Sequence, residues 1–322
     1  MFDSNHIKNV AIIGAAGNSG KYMVESLLAD GKHNITALSR HDSTSKMPEG
    51  VTVKRVDYES QESLTSALKG MDILIVTLSA TSPPDTSYKI IDAASAANVP
   101  WIIPNEWGFD VSRGNGAAGR DVFLGPPQLK IREYIKSKGN LSFIAVGCGF
   151  WYEWSLAIPF AYGIDLENKK AVLYDQGTTM IHTSTWPQVG RMVSKLLSLP
   201  VSSDHGPCLE KYRNSAVYGA SFFTCQKDML DSAMRVTNTK PEDWDITYEP
   251  SHERYAAGMK QFQSGDRMGF GKLLYARMFY DDGSGNLETS KPLDNEVLGL
   301  PKEDMDEATK AALARVKELK AQ

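Results

Sequence analysis

Lys8-Asn9-Val10-Ala11-Ile12-Ile13-Gly14-Ala15-Ala16-Gly17-Asn18-Ser19-Gly20 is the stretch that decides the fold. A short β-branched, apolar run breaks at Gly14. Apolar residues then resume with helical periodicity at Tyr22, Val24, Leu27 and Leu28, so the stretch reads as strand, tight turn, helix. Such a turn gathers backbone N–H groups and the positive end of a helix around one point, which suits a pyrophosphate. The predicted cradle is Gly14, Ala16, Gly17, Asn18, Ser19 and Gly20, with the glycines giving the tight turn and close approach. Taken alone, the turn would serve equally well to join strand to helix; the elements that follow weigh against that.

The pattern repeats. Strands are predicted at 34–38, 51–56, 73–77, 101–104 and 141–146, with helices at 60–68, 85–97 and 127–138. Strands alternating with helices predict an α/β fold with a doubly wound parallel sheet, whose ligands bind outside the carboxyl ends of the strands. After Phe150 the spacing becomes irregular. A helix is expected after Thr185 as N-cap, with Trp186-Pro187 at its start, and others at 227–236, 252–262, 270–279 and 302–320. The expected organisation is a dinucleotide-binding Rossmann domain over 1–150 and a smaller C-terminal substrate lobe over 151–322, some of whose segments return to the sheet.

Ser39-Arg40-His41 ends the second strand where an acidic residue would hold the ribose 2′-hydroxyl of NAD. A guanidinium suits a 2′-phosphate instead, which predicts NADPH/NADP over NADH; the alternative is a solvated surface arginine. Lys46 lies in the following loop. Asp57 and Tyr58 are expected to border the adenine, although Asp57 serves equally as a cap for the next helix. Thr77-Leu78-Ser79-Ala80 is expected to face the nicotinamide ribose.

The GxxGxxG spacing, Arg40 and Pro104-Asn105-Glu106-Trp107-Gly108 together resemble the NmrA-like, isoflavone-reductase-like family of atypical short-chain reductases, in which a P-S-E-F-G-like segment follows the fifth strand. Gly149-Phe150-Trp151-Tyr152-Glu153-Trp154-Ser155-Leu156 and Thr183-Ser184-Thr185-Trp186-Pro187-Gln188-Val189-Gly190-Arg191 resemble a fungal branch of it. The resemblance implies a Rossmann domain holding NADPH, a smaller substrate lobe, and reduction of aromatic or phenolic natural products. It places Pro104 and Asn105 beside the cofactor and Glu106 and Trp107 beside the substrate, Glu106 more as a support of its loop than as a reacting group. It also admits regulators that sense NAD(P) without turnover.

The family's lysine pattern, K-x-x-I-R, is only half present: Ile131-Arg132 stand in place, but the lysine position holds Gln128. Lys130 follows two residues on, about 200° around a helix. It remains a candidate to polarise a carbonyl or supply a proton, against the alternative of a solvated helix lysine. Tyr152 and His182 are the other candidate acid–base groups. Phe150, Trp151 and Trp154 are the candidate aromatic wall for a flat substrate, or else packing between lobes. The YxxxK spacing of Tyr134 and Lys138 is set aside, because it falls at the far end of its helix, on the wrong edge of the sheet.

The 322 residues carry a formal net charge of −4, which offers no overall field for nucleic acid or an anionic membrane. The three cysteines lack paired spacing, and the histidines lack metal-ligand spacing. Neither a leader nor a membrane-spanning run is recognised, so a cytoplasmic location is expected. The expected function is reduction of a small aromatic substrate by NADPH, with a dinucleotide-sensing regulator and a non-redox isomerase or cyclase as alternatives. Substrate identity, stereochemistry and oligomeric state stay open.

Overall fold

The computed structural model of the protein describes residues 5–79, 82–289 and 291–320. Its centre is an eight-stranded sheet. Seven strands lie in the spatial order Ser215–Tyr218, Ser142–Gly147, Trp101–Ile103, Ile73–Val76, Asn9–Ile13, Asn34–Arg40, Val51–Val56. The eighth, Trp107–Gly108, pairs beside Val146 and Gly147. Every pairing in this sheet is parallel. Asn9–Ile13 is flanked by Asn34–Arg40 and by Ile73–Val76, so strand order reverses there and a crevice opens at its carboxyl end, over Gly14.

Alternation within that strand builds two cores. Val10 and Ile12 join Met23, Val24 and Leu27 on one face, while Ala11 and Ile13 join Leu64, Ile90 and Ile135 on the other. Burial on both faces explains why Ile73–Val76 is apolar at every position. The helix Trp186–Leu197 covers the first face beside Gly20–Asp30. The two helices approach so closely that a Cβ at Gly190 would lie 2.3 Å from the Tyr22 carbonyl oxygen.

Thr185 caps that helix as its sequence suggests, accepting from the Gln188 N–H at 3.1 Å. Glu153 adds a second cap: its two carboxylate oxygens accept from the Trp186 N–H at 3.1 and 3.2 Å. Burial pushes the Glu153 carboxyl up to about 7, against the lowering effect of these hydrogen bonds.

Two further three-stranded sheets carry the rest of the chain: Asp245–Glu249, Lys170–Tyr174 and Ile164–Asp165 in one, Phe222–Thr224, Ile181–Ser184 and Phe150–Trp151 in the other. They share a third core with the helices Gln226–Thr237, Met268–Met278 and Met305–Lys320, centred on Tyr152, Tyr162 and Phe279. Ser215–Tyr218 leaves this region to extend the main sheet beyond Ser142–Gly147. No described helix is long and apolar enough to cross a membrane.

Candidate functional site

The turn after the first strand is shaped by backbone contacts. Gly14 has φ +80°, and a Cβ there would stand 2.1 Å from the Thr77 carbonyl oxygen. A Cβ on Gly20 would stand 2.2 Å from the Gly14 carbonyl oxygen. Gly17 N–H closes the turn onto that oxygen at 2.8 Å. Ala16, Gly17 and Asn18 are exposed. The helix Gly20–Asp30 begins without a side-chain cap from Ser19 and without an acidic residue in its first turn. Ser60 and Thr185, in contrast, close their own helices. The first helix therefore presents its positive end to any anion in the crevice.

A depression runs from this turn to the end of the second strand, with Gly14, Ala16, Gly17, Arg40, Ser43 and Tyr58 on its walls. The Arg40 side chain is 66% exposed, with Asp42 at 3.6 Å. Its loop is tied down by a residue the sequence reading passed over: Arg55 Nη1 donates to Ser39 Oγ at 3.2 Å, to the Arg40 carbonyl at 3.0 Å and to the Ser43 carbonyl at 2.8 Å. Arg55 pairs with Ser39 across two strands, a register that spacing along one strand does not reveal. Tyr58 is half-buried, and burial raises its phenol above the ordinary value while Arg40 opposes the rise. Asp57 is exposed and accepts from the Glu59 N–H at 2.9 Å, so it shapes the turn; the cap of the next helix is Ser60.

At the neighbouring strand ends the polar groups are committed to one another. Asn105 accepts from the Leu78 N–H at 3.0 Å and donates to the Leu78 carbonyl at 3.3 Å. The Trp107 indole N–H donates to the Val76 carbonyl at 3.0 Å. These side chains fasten the loops of two strands together. Pro104 is buried beside them, Leu78 is half-buried, and Ser79 is exposed at the rim; Ala80 lies outside the described residues. Glu106, named above for the substrate side, is buried against Arg132, which also reaches Asp110 at 2.9 Å. Tyr218 donates to the same Asp110 at 2.6 Å. Paired with Arg132, Glu106 braces its loop.

A narrow apolar chamber lies where the chain leaves the strand Ser142–Gly147. Phe109, Phe150, Met278 and Leu287 form its walls, with His182 as the one ionisable side chain on them. Phe150 stacks on Tyr275 at 4.1 Å between ring centroids. Trp151 follows Phe150 in a strand, and successive strand residues point to opposite faces. It packs against the main core near Trp186, 6.4 Å between centroids. Trp154 also neighbours Trp186, at 6.2 Å, with the Arg315 guanidinium over it at 4.9 Å. Trp151 and Trp154 are thus lobe packing, and Phe150 alone of the aromatic run faces the chamber.

The candidate acid–base groups separate in the same way. Tyr152 is fully buried, its hydroxyl paired with Thr309 at 2.8 Å, and burial pushes its phenol well up; it belongs to the third core and not to the chamber. The helix Gly125–Ser137 starts earlier than its sequence suggests, because Pro126 and Pro127 fit the first turn. Lys130 therefore falls in the second turn, on the exposed side, while Arg132 and Ile135 are buried. Gln128, at the family's lysine position, is half-buried, and its amide oxygen accepts no hydrogen bond among the described residues. Tyr134 and Lys138 both bind Asp92, at 2.7 and 2.5 Å. Of the three candidates only His182 is on the chamber wall. Phe109, Met278 and Leu287 were missed, since a single apolar residue carries no local sign of what it will face.

The geometry defines a doubly wound α/β protein with an uncapped glycine turn and an apolar chamber on the same carboxyl edge. Residues 6–154 match the NmrA-like family. Oxidoreductase aprR of Aspergillus flavus is 29% identical over 94% of this chain and 98% of its own. Isoflavone reductase homolog A622 of Nicotiana tabacum is 32% identical over 46% of this chain and 50% of its own. Among solved structures, AtPrR2 with NADP+ and (+)pinoresinol superposes with a TM-score of 0.72 at 20% identity, covering 95% of this chain and 98% of that one. The chain is thus similar to the NmrA-like family over residues 6–154, and over nearly its whole length to fungal proteins named as oxidoreductases.

Proposed function

We propose that the protein is an NADPH-dependent reductase of small aromatic compounds. The observation that carries this reading is the meeting of two different surfaces on one sheet edge: an open cradle of backbone N–H groups at Gly14–Gly20 and an apolar chamber at Phe109, Phe150 and Met278. The cradle fits a dinucleotide, because the space a Cβ would fill at Gly14 and Gly20 is taken by the turn itself, which stays shallow enough for phosphates to approach. Gly14, Ala16, Gly17, Asn18, Ser19 and Gly20 would hold the pyrophosphate, Arg40 and Ser43 the 2′-phosphate, and Tyr58 would border the adenine. Leu78, Ser79 and Pro104 would line the nicotinamide side. When bound, NADPH supplies a hydride. The chain's own contribution would be the apolar surface of Phe109, Phe150 and Met278 beside the cofactor, from which water is excluded. The full-length relatives named as oxidoreductases support the reading.

Loss of NADPH absorbance across a panel of aromatic ketones, quinones and enones tests it. Turnover with at least one class is expected; tight NADPH binding with no turnover by any would overturn it. One observation favours a second reading, a dinucleotide-sensing regulator: the lysine position holds Gln128, a carboxamide that exchanges no proton. Pull-downs with NADPH and with NADP+ separate the two, since a sensor must hold its partner differently in the two states.

A further inference from the structure

Arg55 stands on the edge strand of the main sheet, in register with Ser39 on the neighbouring parallel strand, so the two side chains share a face. Lys54 turns to the opposite face and donates to the Ala67 carbonyl at 2.8 Å. From its position Arg55 Nη1 reaches three oxygens of the loop that follows the second strand: Ser39 Oγ, the Arg40 carbonyl and the Ser43 carbonyl. The Ser43 N–H closes a turn onto the same Arg40 carbonyl at 3.1 Å, and Ser43 Oγ accepts from the Ser45 N–H at 3.3 Å. Further along, the loop is held by Met47, which packs on the first core with Leu28 and Val51. The loop that carries Arg40 is therefore fixed at both ends by the chain itself.

The direction of these bonds matters to an anion. A carbonyl oxygen repels a phosphate, and Arg55 holds two such oxygens. Its Nη1 carries two hydrogens, so three acceptors in reach must share them, which draws the loop's oxygens together on the Arg55 side. Ser39, Arg40, Ser43 and Ser45 line the depression, whose volume is about 230 Å³, while Arg55 is not on its wall. Arg55 thus meets the loop from behind. With its carbonyls occupied, the loop keeps side-chain donors for the depression: the exposed Arg40 guanidinium beside Asp42, and the Ser43 hydroxyl, which accepts from Ser45 and still has a proton to donate.

We propose that Arg55 is a positioning residue for cofactor choice: by binding the Arg40 and Ser43 carbonyls it keeps their lone pairs out of the depression and presents Arg40 and Ser43 to the 2′-phosphate of NADPH. It acts through the loop and does not touch the cofactor. The inference rests on the reading of this depression as the 2′-phosphate site. It adds that the preference for the phosphorylated dinucleotide is set from outside the pocket, and that Arg40 on a loop without Arg55 discriminates weakly. NADH places a 2′-hydroxyl there, which both donates and accepts, so it tolerates carbonyls that turn inward.

A double-mutant cycle on the full chain makes the test, with NADPH and NADH titrated calorimetrically into wild type, Arg55→Ala, Arg40→Ala and the double variant. Arg55→Ala should bind NADPH about fivefold more weakly, the size of one hydrogen bond, and NADH within about twofold of wild type. In the Arg40→Ala background the same change should weaken NADPH by less than about twofold, because a residue that acts through Arg40 has little left to position. Arg55→Lys, which keeps the charge but lacks the fork, should recover only part of the loss, and it replaces the alanine variant in the cycle if melting curves show that variant unfolded. Equal losses with and without Arg40 would mean that Arg55 acts by its own charge, and equal losses for NADPH and NADH that it serves stability alone; either result overturns the proposal. A wild type without preference for NADPH would overturn the reading of the depression itself, whereas a preference that survives Arg55→Ala would overturn this inference alone.

Discussion

The two ends of the site are built by opposite means. The cradle at Gly14–Gly20 comes from consecutive residues, is made of backbone, and leaves its helix without a side-chain cap; Arg40, its charged wall, is exposed. The chamber draws Phe109, Phe150, His182, Met278 and Leu287 from distant parts of the chain, and of its polar groups the His182 Nδ1 is already paired, with the Leu287 N–H. A nucleotide site of the first kind is set by local backbone geometry and depends little on the rest of the lobe. A substrate site of the second kind exists only when several segments have packed, so it carries the specificity and the cost of burial.

The comparison breaks most easily at the cradle. Gly14→Val forces a side chain onto the Thr77 carbonyl from a left-handed backbone, and NADPH affinity by calorimetry should fall by at least about a hundredfold. An unchanged affinity would show that the turn does not hold the cofactor.

Burial at the other end should show itself in pH. Glu153 is raised in the folded state, from the ordinary 4.5 to about 7. Between those two values the folded protein holds a proton that the unfolded chain has released, so stability falls as pH rises through that window and levels off above it. The loss is of the order of 3 kcal/mol at one pKa unit per 1.36 kcal/mol. Glu153→Gln, which can still accept from Trp186, should flatten this part of the profile in urea melts from pH 4 to 8. A wild-type profile that rises over the window would contradict the assignment.

Arg40→Ala should weaken NADPH by about tenfold and leave NADH nearly unchanged, a moderate effect because the guanidinium is largely solvated. Tyr152→Phe should cost about 1 kcal/mol of stability through the lost Thr309 bond, with turnover intact. The smallest effect belongs to Lys130→Ala, within about 0.5 kcal/mol and without change in turnover. A large loss of kcat in either variant would return that residue to the reacting centre.

The same contrast explains what the sequence made legible. Strand, turn and helix around Gly14 follow from local patterning, and so does the hydroxyl cap at Thr185. Ser215–Tyr218 was not read as a strand, because four residues without alternation gain their meaning only beside Ser142–Gly147. Sequence starts the helix bearing Lys130 at Pro127, two residues late, since Gly125 and Pro126 do not look helical on their own, and that moves the lysine toward the sheet edge. In the sequence Trp151 and Trp154 look like part of one aromatic wall with Phe150, and Tyr152 like an acid–base group beside it. Alternation within Phe150–Trp151 and the third core beneath Tyr152 send them elsewhere. His182 stood out in the sequence only as an isolated histidine; the Leu287 N–H that fixes its tautomer lies 105 positions along the chain.

The central claim is that the glycine cradle and Arg40 bind the phosphorylated dinucleotide. Calorimetric titration of the wild-type protein with NADPH and with NADH tests it most directly. One NADPH per chain, bound about tenfold or more tightly than NADH, is the predicted result; equal affinities, or no binding of either, would contradict it.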